Sequence, residues 1–377
     1  MGAWPGKFVI GLTGNIATGK SVVRKMLEHL GAYGIDADSL ANRAISKGSP
    51  GYQPVIEAFG RWILDKEGQI DRAKLGRLVF SDPKALEKLE SIIHPLVIQA
   101  IDVLIRRTKQ DVVVVEAIKL IETGLDKRCD SLWVAYTPPE MQLARLTQKR
   151  GMGEAAARQR IDAQSSQMEK VALADVVINN QASFDDTWGQ VTAAWHRLFP
   201  DLREEGAKPE LANSGEMTVY RARPRDAAKV AELINQLSNG KRKVTRDEVI
   251  AAFGEKAYLL LQIDGKAQGM VGWKVENLVA MTDEIYFDSS LHFSDAMRPL
   301  INEVERVSRE LQCEISLLFL PAEISAQLGA LDSLGYQRRT IHNLGVRAWE
   351  EAAIESMPSG SIMLFKQLRQ DRVLRPV

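Results

Sequence analysis

The run Gly14-Asn15-Ile16-Ala17-Thr18-Gly19-Lys20-Ser21 has the residue types and the spacing to hold a polyphosphate. Its glycines let the backbone turn so that successive N–H groups face inward and cradle anionic oxygens. Lys20 adds a cation for the β- and γ-phosphates, and the Ser21 hydroxyl adds an oxygen ligand for Mg²⁺. From Val22 to Leu30 the pattern is helical, so the positive end of a helix dipole points at the same charge. The strand-like Phe8-Val9-Ile10 stands just before the loop, which is the setting this motif requires. The segment from Gly14 to Val22 is therefore expected to bind a nucleoside triphosphate, with Mg²⁺ on Ser21.

Two further groups could act on a bound phosphate. Asp36-Ala37-Asp38 falls at the end of the second apolar run, and in a parallel sheet that end lies beside the phosphate loop. A carboxylate there can take the proton of an attacking hydroxyl. Asp38 also precedes Ser39-Leu40-Ala41 and could simply cap a helix; spacing alone leaves the two readings level. The second group is basic: Arg145, Lys149, Arg150, Arg158 and Arg160, with Glu154 as the sole acid between Arg145 and Arg160. Gly151-Met152-Gly153 divides this stretch into two helices. A hinged, arginine-rich helix pair suits a lid over phosphates.

These groups need a scaffold, and the first 200 residues supply one. Phe8–Ile10, Ala32–Ile35, Val112–Val115, Leu132–Val134 and Val176–Ile178 are continuously apolar, as parallel strands buried on both faces must be. Helix-length stretches separate them, so the expected fold is a doubly wound α/β sheet of five parallel strands. Asp65-Lys66-Glu67-Gly68 has the DxxG form of a GTPase, but it follows no strand and reads as a turn. A small-molecule kinase fits best.

The ordered set of motifs resembles the dephospho-CoA kinases, over residues 7–198. The resemblance rests on Gly11–Ser21, Ile35-Asp-Ala-Asp38, Phe59-Gly60, Asp71-Arg72 with Leu75, Val79-Phe80 and Leu89-Glu-Ser-Ile-Ile-His-Pro95. Gln142-Leu-Ala-Arg145, Gln164 and Ala174-Asp175-Val-Val-Ile-Asn179 complete it. It implies ATP-dependent phosphorylation of the ribose 3′-hydroxyl of dephospho-CoA, with Asp38 as general base. It also implies that Lys20, Arg145 and Arg150 neutralise charge on the moving phosphoryl group. A helical insert over about 60–108 would grip the substrate, with Arg72 and His94 as contacts, and a lid would span about 140–168. One departure stands on the substrate side. Where the family has Asp-x-Pro-Leu-Leu-Phe-Glu, this chain has Glu116-Ala-Ile-Lys-Leu-Ile-Glu122, so the proline is lost and Lys119 is new.

The kinase-like domain is expected over 1–204, a polar linker over 205–216 and a second, α+β domain over 217–377. The second domain resembles the GNAT acetyltransferases in Tyr220–Ile234, in the hairpin Leu259–Val275 and in Leu331-Asp-Ser-Leu-Gly-Tyr336. It lacks the Q/R-x-x-G-x-G/A turn that would approach a pyrophosphate; the stretch is Leu291-His-Phe-Ser-Asp-Ala-Met-Arg-Pro299. A noncatalytic module, loosely coupled to the kinase, is the expectation. A kinase of another small hydroxyl substrate, and a nucleotide-gated interaction protein with this module as effector, are the alternatives.

Composition narrows the field. The 377 residues are 45% hydrophobic and 26% charged, and 49 basic residues cancel 49 acidic ones. Bulk charge therefore disfavours nucleic acid as a partner. Two cysteines, Cys129 and Cys313, make no disulfide framework or CxxC metal site. Met1–Lys7 has no signal-peptide core, position 6 is glycine where myristoylation needs Ser or Thr, and no run is long enough for a membrane span. A soluble, cytoplasmic protein is expected.

Overall fold

The five apolar runs become β1 (Phe8–Thr13), β2 (Tyr33–Asp36), β3 (Val112–Glu116), β4 (Ser131–Tyr136) and β5 (Val176–Asn179). They form one parallel sheet in the order β2-β3-β1-β4-β5. The computed structural model describes residues 2–149, 151–201, 217–238, 240–322, 329–371 and 373–374. In β1, β3 and β4 successive residues enter opposite cores, whereas β5 leaves Val177 exposed. Val9, Ile35, Val113 and Val115 face one way, and Ile10, Leu12, Val112 and Val114 the other. Two buried faces account for the uninterrupted apolar runs of the central strands.

Helices cover both faces. The first helices are α1 (Lys20–His29) and α2 (Ala37–Ala44), followed by the inserted α3 (Tyr52–Phe59), α4 (Arg72–Ser81) and α5 (Pro83–Arg107). After β4 come α6 (Pro139–Ala144), α7 (Glu154–Asp162) and α8 (Gln167–Leu173), and after β5 comes α9 (Phe184–Leu198). Leu40 of α2 and Ile101 and Leu104 of α5 fill one core. Val23 and Leu27 of α1 join Val191 and Trp195 of α9 in the other. The insert has a small core of its own, built on Val55, Ile63, Ile70, Leu75 and Val79. Because all five strands are parallel, their carboxyl ends, from Asp36 to Asn179, line a single edge, where α/β sheets bind ligands.

The remaining elements make a mixed α+β unit. In chain order they are β6 (Met217–Arg221), α10 (Ala227–Leu237), α11 (Arg246–Ala252), β7 (Ala257–Ile263), β8 (Lys266–Glu276) and β9 (Val279–Phe287). Then follow α12 (Phe293–Glu310), β10 (Ile315–Pro321), α13 (Gly329–Asp332), β11 (Gln337–Arg338), α14 (Arg347–Ser356) and β12 (Ser361–Gln367). The seven strands lie in the order β11-β12-β10-β9-β8-β7-β6, and the β9–β10 pair is parallel. The β7–β8 hairpin turns at Asp264-Gly265, both at positive φ, as the aspartate-glycine pair predicts. In the stretch Leu291–Pro299, the first turns of α12 bury Phe293, Ala296 and Met297. Among the described residues no helix is long and apolar enough to cross a membrane.

The expectation of loosely coupled domains needs correcting. The polar stretch that suggested it, 202–216, lies outside the described residues, whereas the described residues join the two sheets closely. Arg43 of α2 makes a 2.6 Å ion pair with Glu314, their side chains 7% and 1% exposed, and also donates to the Asn277 carbonyl. Glu314 accepts from the Trp349 indole N–H as well. Lys25 donates to Val275 O, and Tyr33 donates to Leu311 O. Leu278 and Leu311 pack on the first sheet's core, and Leu374 is buried in it. Separating the two units would break this buried pair and the hydrogen bonds to both its members.

Candidate active site

The phosphate loop leaves β1 and enters α1 with its geometry set by two glycines. Gly14 has φ 147°, and a Cβ there would stand 2.4 Å from Ala135 O; Gly19 has φ 88°, and its Cβ would stand 1.8 Å from Asn180 Nδ2. No other residue fits either place. Lys20 is buried at the foot of the loop and donates to Asn15 O at 3.3 Å. Burial lowers its pKa, and the nearby carboxylates of Glu116 and Asp38 work against that shift. Ser21 Oγ donates to Glu116 Oε1 at 2.8 Å, and Arg24 Nε donates to Glu116 Oε2 at 2.7 Å. Glu116, noted in the sequence as lying on the substrate side, thus faces the nucleotide loop. Val22 turns its side chain toward the core cluster on its face of the sheet and adds none to the cradle.

The cap of α2 is not Asp38 but its neighbour. Asp36 is the N-cap of α2, its carboxylate accepting from Ser39 N at 2.9 Å. Asp38 stands in the first turn instead, where Oδ2 accepts from Ile118 N at 3.2 Å. Its exposed surface faces a cavity. The surrounding protein raises its pKa to about 6 by desolvation, with help from Asp36 and opposition from Lys20.

Arg145 lies against the loop. α6 runs on into a π-helical turn, Arg145–Lys149, a local widening often found at functional sites. Its guanidinium donates to Ala17 O at 3.1 Å, Thr137 Oγ1 at 3.3 Å and Asn180 O at 2.6 Å. Arg150, the other expected lid arginine, lies outside the described residues. Beyond α7, Gln164 Oε1 accepts from Ile16 N at 2.7 Å, and Asn15 Nδ2 donates to Ser165 O at 2.8 Å. The segment between α7 and α8 therefore sits on the loop.

Several participants escaped the sequence reading. Asn180 Nδ2 donates to Thr18 O, while Asn180 Oδ1 accepts from Thr187. Lys170, buried, donates to Ile118 O and pairs with Glu122. Each is a lone polar residue in a helical or loop stretch, and only its burial marks it.

On the far side of Asp38 opens a cavity of about 360 Å³. Leu75, Val79, Leu86, Leu89, Ile93 and Val97 give it an apolar wall, and Arg72 and His94 line it. Arg72 begins α4 and also reaches Glu351 of α14 at 3.0 Å.

A glycine-built cradle at the carboxyl edge of a parallel sheet, with a buried lysine and a carboxylate across from it, defines a phosphotransferase of the P-loop class. A family model for dephospho-CoA kinase matches residues 8–186. The dephospho-CoA kinase of Geobacter metallireducens is 44% identical over 190 residues, half of this chain and 94% of its own length. The chain belongs to the dephospho-CoA kinase family. A solved dephospho-CoA kinase from Campylobacter jejuni aligns at 28% identity over 50% of this chain and 96% of its own, with TM-score 0.38. A GNAT-family acetyltransferase from Staphylococcus aureus aligns at 11% identity over 41% of this chain and all of its own, with TM-score 0.33.

Proposed function

We propose that this chain transfers the γ-phosphoryl group of ATP to the ribose 3′-hydroxyl of dephospho-CoA, giving coenzyme A and ADP. The observation that carries the reading is Asp38, lying between the phosphate loop and the apolar cavity with its pKa raised to about 6. The loop from Gly14 to Ser21 holds the triphosphate. Lys20, buried beside it, follows the charge that migrates to the leaving oxygen. Asp38 Oδ accepts the hydroxyl proton as the oxygen attacks, and a carboxylate poised near neutrality suits that work. Arg145 braces the loop and adds positive charge beside Gly19. The apolar wall suits the pantetheine arm, and Arg72 and His94 contact the nucleotide portion.

Mg²⁺ fits this site. Ser21 Oγ and the Glu116 carboxylate meet at the N-terminus of α1 and would hold it, directly or through water, which is how Mg²⁺ is usually bound beside phosphates. When bound, it neutralises charge on the β- and γ-phosphate oxygens. The units at 1–204 and 217–377 divide the labour: the first carries the chemistry and the second is noncatalytic.

ADP release by the full chain with ATP and dephospho-CoA tests the assignment, with nucleosides and sugars as competing acceptors. Dephospho-CoA is expected to be the preferred acceptor, and Lys20→Ala to abolish turnover. More than about a tenth of the rate in that variant would contradict the role given to Lys20, because such electrostatic groups supply several kcal/mol.

A further inference from the structure

The cavity contains one cation that the reading above leaves without a task. Lys119 directly follows Ile118, whose backbone N–H binds Asp38 and whose carbonyl is held by Thr13 Oγ1 and Lys170 Nζ. Its backbone is thus fixed one residue from the proposed base. The side chain is half exposed and lines the cavity, with Nζ 2.6 Å from Glu90 Oε1 on α5. Glu90 lines the same cavity. Among the described residues of the lining, Arg72 and Lys119 are the permanent cations and Asp38 and Glu90 the acids.

Resting on the function proposed above, we infer that Lys119 binds the diphosphate of dephospho-CoA and sets specificity for acceptors that carry one. The argument is one of charge. A nucleotide whose ribose hydroxyl faces Asp38 brings its diphosphate close to that carboxylate, in a cavity whose lining is balanced at two cations and two acids. A diphosphate without a matched cation would be repelled there. Arg72 and Lys119 each have one carboxylate partner among the described ion pairs, Glu351 and Glu90; of the two, Lys119 adjoins Ile118, whose N–H binds Asp38, and its side chain is 50% exposed. An ion pair this open to solvent is weak. A dianionic diphosphate, offering charge-assisted bonds to the ammonium, therefore displaces Glu90 readily.

The test measures the full chain and its Lys119→Met and Lys119→Arg variants, by steady-state kinetics and by direct titration with dephospho-CoA. Lys119→Met is expected to raise KM and Kd for dephospho-CoA about tenfold or more. KM for ATP and the melting temperature should stay put, because Lys119 is not in the nucleotide loop and is half exposed. Lys119→Arg should restore most of the affinity, and adenosine, which has no diphosphate, should bind both variants and the parent alike. A Lys119→Met chain within twofold of the parent for dephospho-CoA overturns the inference. A parent chain that binds dephospho-CoA without releasing ADP overturns the proposed function instead, and the Kd comparison still decides the role of Lys119. A parent that does not bind it overturns both.

Discussion

At the scale of single residues, the proposed chemistry turns on how Asp38 is ionised. Its pKa is raised to about 6, chiefly by desolvation and then by Asp36, so below that pH the carboxyl is protonated and cannot accept the hydroxyl proton. kcat/KM should rise with pH to a midpoint near 6 and then level off. Asp38→Asn should lose that limb and fall by roughly 10²–10⁴ in rate, the usual worth of a positioned base. The stability sign runs the other way. A carboxyl with a raised folded-state pKa favours folding while protonated, and that contribution fades as pH climbs from about 4 through 6. Asp38→Asn keeps an oxygen for Ile118 N–H, so at pH 8 it should melt no lower than the parent. Asp36→Ala, by contrast, removes the actual cap of α2 and should cost about 1 kcal/mol.

The elements tell how much could be read beforehand. Every strand of the parallel sheet was legible as an unbroken apolar run, which burial on both faces explains in the central strands, although β5 leaves Val177 exposed. The phosphate loop was legible because its glycines answer a geometric demand. The fit of Gly19 against Asn180 was not legible, because the asparagine comes from the far end of the sheet and nothing local links the two. Strand β9 also went unread. Its turn, Asn277-Leu278, has φ 52° and 60° but no glycine; Leu278 tolerates that backbone while packing on the first sheet's core. The cap of α2 was not legible: spacing left Asp38 open as base or cap, and the capping carboxylate is that of Asp36. Gly19→Ala tests the close approach. Its methyl would fall on the Asn180 amide, so nucleotide affinity, read by titration with ADP, should collapse while the far-UV spectrum is unchanged. A Gly19→Ala chain that binds ADP normally would mean that Asn180 can move aside.

At the scale of the whole molecule, the interface makes the second sheet a support for the helix that presents the proposed base. Arg43 lies on α2 with Asp38, and its guanidinium ends in the second unit, on Glu314 and the Asn277 carbonyl. Glu314 is in turn held by Trp349 of α14, and α14 also sends Arg347 to Asp65 and Glu351 to Arg72 of the insert. A buried pair of this kind adds little over an apolar substitute, yet removing one member leaves a charge with no counterpart. Glu314→Leu should therefore destabilise the full chain by about 3–5 kcal/mol, and adding Arg43→Met should recover most of it. The same contacts predict how the chain melts. If the sheets were tethered only by the polar segment, calorimetry would resolve two independent transitions. With Leu278, Leu311 and Leu374 packed on the first core, exposing one unit uncovers apolar surface of the other, so a single cooperative transition is expected, splitting in two once Glu314 is replaced. Two transitions in the parent, with Glu314→Leu shifting only one, would return the second unit to the status of a passive appendage.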